Sequence, residues 1–182
     1  MVIEQSKQEV RKALRCKRKA LPLSVRKIAE KRINQRLKKY IRRNSNIAVY
    51  RAVGSEVNLQ TFIDTALKRH ANIFEPIIEK NTRRLQFVAW GKANTINKRN
   101  IPKFRIEDMQ IALLPLIGVD KAGNRLGQGG GYYDTSLSFV RYNRPLKIGI
   151  GFACQMLPKV PHNSHDKKLD LFISETQEHI FR

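Results

Sequence analysis

Leu114-Pro-Leu-Ile-Gly-Val-Asp-Lys-Ala-Gly-Asn-Arg-Leu-Gly-Gln-Gly-Gly-Gly-Tyr-Tyr-Asp134 runs from an apolar segment, through four glycines in five positions, into a helix-compatible segment. The glycines are Gly127, Gly129, Gly130 and Gly131. Without a Cβ, such a run turns backbone N–H groups inward and approaches a bulky anion closely. Arg125 sets a fixed positive charge at the entrance, and Asp134 sets a carboxylate at the exit, where a magnesium ion can sit. On chemistry alone the stretch reads as a cradle for nucleotide phosphates. The plainer alternative is a glycine-rich hairpin or loop without a ligand. A P-loop is excluded, because no Lys-Ser or Lys-Thr pair occurs. The dinucleotide fingerprint fails where Tyr132 stands in place of its last glycine.

Outward from this stretch, helices alternate with short apolar strands. Ser6 to Ala20 lacks Gly and Pro and reads as a helix. After Pro22, Ser24 can cap a second, with Val25, Ile28, Ala29, Ile33, Leu37, Tyr40 and Ile41 as its apolar stripe. Asn46 to Tyr50 reads as a strand and Leu59 to Arg69 as a helix with Asn58 as its cap. Asn72 to Phe74 reads as a strand ended by Pro76, and Leu85 to Trp90 as another. Ile111 to Leu116 is apolar throughout, as a strand buried on both faces would be. A helix from Tyr132 to about Arg141 and strands over Lys147 to Ile150 and Leu169 to Ile173 complete the set. The expectation is one α/β domain over residues 1–182, with a mostly parallel central sheet flanked by helices on both faces. Gly91 to Asp108 is polar and irregular, and reads as a loop.

The charge is lopsided. Residues 1–43 hold sixteen Lys/Arg against three Glu, a net +13 of the chain's +21. That density is a reasonable footprint for nucleic acid, and a basic nucleic-acid-binding protein is the principal alternative. No zinc-finger spacing, RNP pattern or KH-type loop accompanies it, so no specific nucleic-acid partner is expected. Polyanionic small molecules are steered by the same charge. The longest apolar run, Ile111 to Val119, contains Pro115 and Gly118 and is too short to span a bilayer. The N-terminus lacks a signal-type apolar region, and Cys16 and Cys154 form no metal spacing. A reduced, cytoplasmic protein is expected.

Several side chains carry two readings each. Lys7 and Arg11 share one helical face, placed either to clamp a triphosphate over the glycine loop or to lie in solvent. Glu56 lies between a strand and a helix, at the carboxyl end where α/β sheets bind ligands, or favoured there by the helix dipole. Trp90, the only tryptophan, reads first as core. Asp166 and Asp170 before a strand are ordinary turn formers.

Arg125-Leu126-Gly127-Gln128-Gly129-Gly130-Gly131-Tyr132-Tyr133-Asp134 resembles the signature of the 5-formyltetrahydrofolate cyclo-ligases, also called 5,10-methenyltetrahydrofolate synthetases. The likeness extends to Lys7-x-x-x-Arg11, to Glu56 ahead of a helix, to the aromatic strand at Trp90 and to His165-Asp166. It implies that Lys7, Arg11 and residues 125–133 bind ATP, with Arg125, Tyr132 and Tyr133 acting on the reacting groups. It places folate against Glu56, Arg51 and Trp90, and magnesium on Asp134 and Asp166. Arg51 is a polar departure from the family, and Ile101-Pro102-Lys103-Phe104 departs from its usual loop ending. The implied reaction is ATP-driven closure of 5-formyltetrahydrofolate to 5,10-methenyltetrahydrofolate through a phosphorylated formyl group. The expected partners are these small molecules, with no membrane and a monomeric chain. A diverged ATP-binding relative with another substrate is the further alternative.

Overall fold

The structure is a computed structural model and describes residues 6–78, 82–93, 100–140 and 144–181. Helix α1 (Lys7–Lys19) starts in a capping box. The Ser6 hydroxyl accepts the Glu9 N–H, and the Glu9 carboxylate accepts the Ser6 N–H. Helix α2 (Leu23–Leu37) begins directly after Pro22, which is its N-cap, so Ser24 lies inside the helix and does not cap it. Proline's fixed φ suits the turn into a helix, and no side chain caps the first-turn N–H groups of α2.

The central sheet has seven strands in the order β10-β9-β7-β4-β1-β2-β3. They are β1 (Asn46–Ala48), β2 (Asn72–Ile78), β3 (Leu85–Ala89), β4 (Ile111–Pro115), β7 (Leu146–Ile150), β9 (Leu171–Ile173) and β10 (Glu178–Ile180). All pairings from β9 to β2 are parallel, and the two edge strands β10 and β3 pair antiparallel. A mostly parallel sheet is therefore observed, as the alternation implied. Strand β2 runs through Pro76 instead of ending there. β1 flanks only Asn72–Phe74, so the later half of β2 lies beside β3 alone, as an edge where proline is tolerated.

Side-chain alternation along the inner strands builds two cores. Ile47, Val49, Ile111, Leu113, Ile148, Ile150, Leu171 and Ile173 face α2 and helix α3 (Gln60–Lys68), meeting Ile33, Leu37, Phe62, Ile63 and Ala66. Ala48, Ala112, Leu114 and Phe172 face the opposite way, against Leu137 of helix α4 (Tyr132–Ser138) and the turn residues Ile106 and Met109. Burial on both faces is why Ile111–Pro115 and Leu171–Ile173 are apolar without interruption. The N-cap of α3 is Leu59 and not Asn58, one residue earlier, though the Asn58 Oδ1 still accepts the Gln60 N–H at 2.8 Å. Helix α4 ends at Ser138, short of the expected Arg141, with Phe139 as its C-cap. Residues 94–99 of the Gly91–Asp108 segment, and Arg141, lie outside the described residues.

A second, three-stranded sheet joins β5 (Gly118–Asp120), β6 (Arg125–Leu126) and β8 (Met156–Leu157) in the order β6-β5-β8. Val10 and Leu14 of α1 pack on it with Ile117, Leu126 and Val160. After β1 the chain moves to β2 on one side, whereas after β4 it moves to β7 on the other. The crevice between β1 and β4 is thus the topological switch point, where open α/β sheets bind ligands. Among the described residues no helix is long and apolar enough to cross a membrane.

Candidate active site

A cavity of about 770 Å³ opens over that crevice. Its lining comes from the carboxyl ends of three strands: Tyr50, Arg51 and Glu56 after β1, Glu75 to Ile78 of β2, and Pro115 of β4. Gly127 to Asp134 form another wall. Lys7 and Arg11 enter from α1, and Asn163, His165 and Asp166 from the loop before β9.

The glycine wall is built on a hairpin. Asp120 ends β5 with a buried carboxylate that accepts the N–H groups of Ala122, Asn124 and Val160 and the Asn124 side-chain amide, all within 2.9–3.0 Å. Burial pushes this carboxyl up, but those four donors outweigh burial and hold it below the usual range. They fix the turn that delivers Arg125. The Arg125 side chain is buried, with Nη2 2.8 Å from Asp134 Oδ2 and Nη1 donating to Pro115 O at 3.2 Å. Arg11 Nε donates to Gly127 O at 2.9 Å. A Cβ on Gly127 would lie 2.9 Å from Arg125 Nη1, so any side chain there would push the guanidinium aside. Gly129 has φ +110°, a conformation that disfavours other residues. Gly129→Ala is therefore expected to cost about 1–3 kcal/mol of strain. Thermal unfolding checks this, and an unchanged midpoint would show that the loop relaxes freely.

Two carboxylates near the loop are held by cations. Lys7 Nζ lies 2.6 Å from Asp166 Oδ2, which also accepts the Asn163 N–H at 2.8 Å. Burial raises the Asp166 carboxyl, but Lys7 and the Asn163 N–H outweigh it and keep it below the ordinary value. Asp134 pairs with Arg125, and its Oδ1 accepts the Lys167 N–H at 3.1 Å. Tyr133 sits by Arg125, whose guanidinium carbon is 5.8 Å from the ring centre. Burial raises the Tyr133 phenol well above its usual value, against the pull of Arg125, so it stays protonated.

The opposite wall holds buried carboxylates. Glu56 accepts the Val53 N–H at 3.0 Å on Oε2 and the Gln128 amide at 2.6 Å on Oε1. Tyr50 donates to Val57 O at 3.0 Å, and burial, then Glu56, pushes its phenol far up. Glu75 is 1% exposed and pairs with Arg51, while its Oε1 accepts the N–H groups of Gly91 and Ala93 at 2.8 and 3.2 Å.

The structure gathers Lys7, Arg11, Arg51, Glu56, Arg125 to Asp134 and Asp166 around one cavity. Trp90 stands apart from that lining. It packs against the α2/α3 core, and the Arg51 guanidinium, which does line the cavity, lies 4.4 Å from its ring centre. Asp170 faces away and pairs with Lys147 at 3.0 Å. Among the described residues no three His, Cys, Asp or Glu side chains cluster as a metal site. Glu75, Tyr50, Arg15 and Arg18 were not singled out in the sequence. For Glu75 the signal was a lone carboxylate in Ile73-Phe-Glu-Pro-Ile-Ile78. For the arginines it was spacing: Lys7, Arg11, Arg15 and Arg18 recur at helical intervals, and all four side chains turn toward the protein.

A glycine loop ringed by cations on one wall, facing buried carboxylates on the other, makes this cavity the candidate active site of an α/β fold. The 5-formyltetrahydrofolate cyclo-ligase family model matches residues 3–175, and the chain belongs to that family, whose members are ligases of folate one-carbon metabolism. It is 26% identical over 178 residues to the 5-formyltetrahydrofolate cyclo-ligase of Haemophilus influenzae, covering 91% of this chain and 95% of that one. Its identity to the cyclo-ligase of Mycoplasma genitalium is 30% over 172 residues, covering 92% and 96%. A 5,10-methenyltetrahydrofolate synthetase structure from Mycoplasma pneumoniae superposes with a TM-score of 0.80 at 26% identity, covering 94% of this chain and 99% of that one.

Proposed function

We propose that this chain closes 5-formyltetrahydrofolate to 5,10-methenyltetrahydrofolate, with ATP converted to ADP and phosphate. The observation that carries this reading is the single cavity whose glycine loop, Lys7, Arg11 and Arg125 face the carboxylates Glu56 and Glu75. Triphosphate charge spreads over the loop N–H groups and the three cations. The Glu56 carboxylate accepts from pterin N–H groups and anchors the ring. The formyl oxygen, a poor leaving group, attacks the γ-phosphorus as the bond to ADP breaks. N10 then adds to the activated carbon, the phosphate departs with its oxygen, and the N10 proton passes to solvent. The protonated Tyr133 and its neighbour Tyr132 orient the reacting oxygens. Positioning supplies most of the acceleration, and no protein nucleophile is needed.

Magnesium suits the donor set. Asp134 and Asp166 line the same cavity, and only one oxygen of each is taken by a cation at under 3 Å. A magnesium ion held by one or two carboxylates completes its shell with phosphate oxygens, and would neutralise phosphate charge there. Arg125 and Lys7 hold both carboxylates in place. The chain works in the cytoplasm as a monomer on this reading. The test mixes the protein with 5-formyltetrahydrofolate, ATP and magnesium and follows absorbance in the methenyl-folate band. A rise that requires both ATP and magnesium is expected. No rise from a folded protein that binds ATP would move the assignment to another substrate.

A further inference from the structure

Helix α1 holds both walls of the cavity through its inward cationic stripe. Lys7 and Arg11 reach Asp166 and Gly127 O, on the loops that would carry the phosphates. One turn further, Arg15 Nη2 donates to Gln128 Oε1 at 2.7 Å, and Gln128 Nε2 donates to Glu56 Oε1 at 2.6 Å. Arg18, itself buried, donates from Nε to Ser55 Oγ at 2.9 Å, beside Glu56 in sequence. The chain Arg15–Gln128–Glu56 therefore runs from helix to glycine loop to the carboxylate of the opposite wall.

We propose that Arg15 is a positioning residue that couples the two substrates through Gln128. The inference rests on the function proposed above. In the free protein the Gln128 amide caps Glu56 Oε1, the oxygen a pterin N–H would need. Phosphates drawn onto the glycine loop compete for the loop N–H groups and for the nearby arginines. That competition reorders Gln128 and releases Glu56. Nucleotide binding thereby raises folate affinity, and by linkage folate raises nucleotide affinity by the same factor. Arg15 sets this exchange without touching either substrate. It is only partly buried, and its replacement leaves the α1 apolar face, Val10 and Leu14, untouched.

The experiment measures 5-formyltetrahydrofolate affinity with and without a non-hydrolysable ATP analogue and magnesium. The wild-type chain is expected to bind folate about tenfold more tightly when the analogue is present, within the usual range of coupling. In Arg15→Met that ratio should fall to about one, and Arg15→Lys, which keeps a donor cation, should recover part of it. A role confined to stability would leave the ratio unchanged. A wild-type ratio near one, or a full ratio in Arg15→Met, overturns the coupling. Failure of wild type to bind either ligand overturns instead the function on which it rests.

Discussion

Arg125→Ala is expected to lower turnover by about 10²–10³-fold, the usual loss when one buried donor to developing charge is removed. The side chain is only 3% exposed and serves three neighbours at once: Asp134 at 2.8 Å, Pro115 O and the face of Tyr133. Its removal leaves the Asp134 carboxylate with the Lys167 N–H and solvent. Breaking a buried pair costs about 3–5 kcal/mol, and because Asp134 keeps some solvent contact the lower end applies. Arg125→Lys should restore part of the stability but little of the turnover, because one ammonium cannot serve two acceptors in a fixed fork. Asp134→Asn keeps the shape and the Lys167 bond but leaves the Arg125 guanidinium, the more buried partner, without its counter-charge. The thermal midpoint should therefore fall as well, while turnover falls as in Arg125→Ala. Single-turnover formation of the methenyl product, read beside thermal unfolding, distinguishes the two effects. Wild-type turnover in both variants would mean that the phosphates bind elsewhere.

Much of this architecture was legible because burial on both faces leaves a continuous apolar signature. Ile111 to Pro115 could be read as an inner strand for that reason alone. The small sheet was not legible. β6 and β8 have two residues each, too few for a period, and exist because Val10, Leu14 and Val160 cover them. The glycine loop, Asp134 and Asp166 were visible as motifs, since they sit in contiguous patterns. Arg15 and Arg18 were obscured by the other cations of α1. Only the folded helix separates inward Lys7, Arg11, Arg15 and Arg18 from exposed Lys12, Lys17 and Lys19. Trp90 shows the opposite effect. Its aromatic strand resembled a ligand wall, and the fold packs the ring against the core with the Arg51 guanidinium over its face.

Asp120 makes the other large prediction, and it concerns stability. Its carboxylate takes four donors in a site only 2% exposed, and no water can replace it cheaply there. In Asp120→Asn a single amide oxygen must serve donors that now use two charged ones. A loss of about 3 kcal/mol follows, given 1–3 kcal/mol for each buried group left unmade. For a chain of this size that lowers the thermal midpoint by about 6–12 °C. The effect must also depend on pH. The folded carboxyl titrates below its unfolded value of about 3.9. Its contribution is therefore complete above about pH 5 and fades as pH falls through the folded value. Wild type and Asp120→Asn should differ most near neutrality and converge in acid. Urea unfolding of both proteins at several pH values measures the gap. A gap that stays constant into the acid range would show that lost packing, and not lost charge, carries the effect. Because the same turn delivers Arg125 to Asp134, the variant should also lose turnover at temperatures where it is still folded.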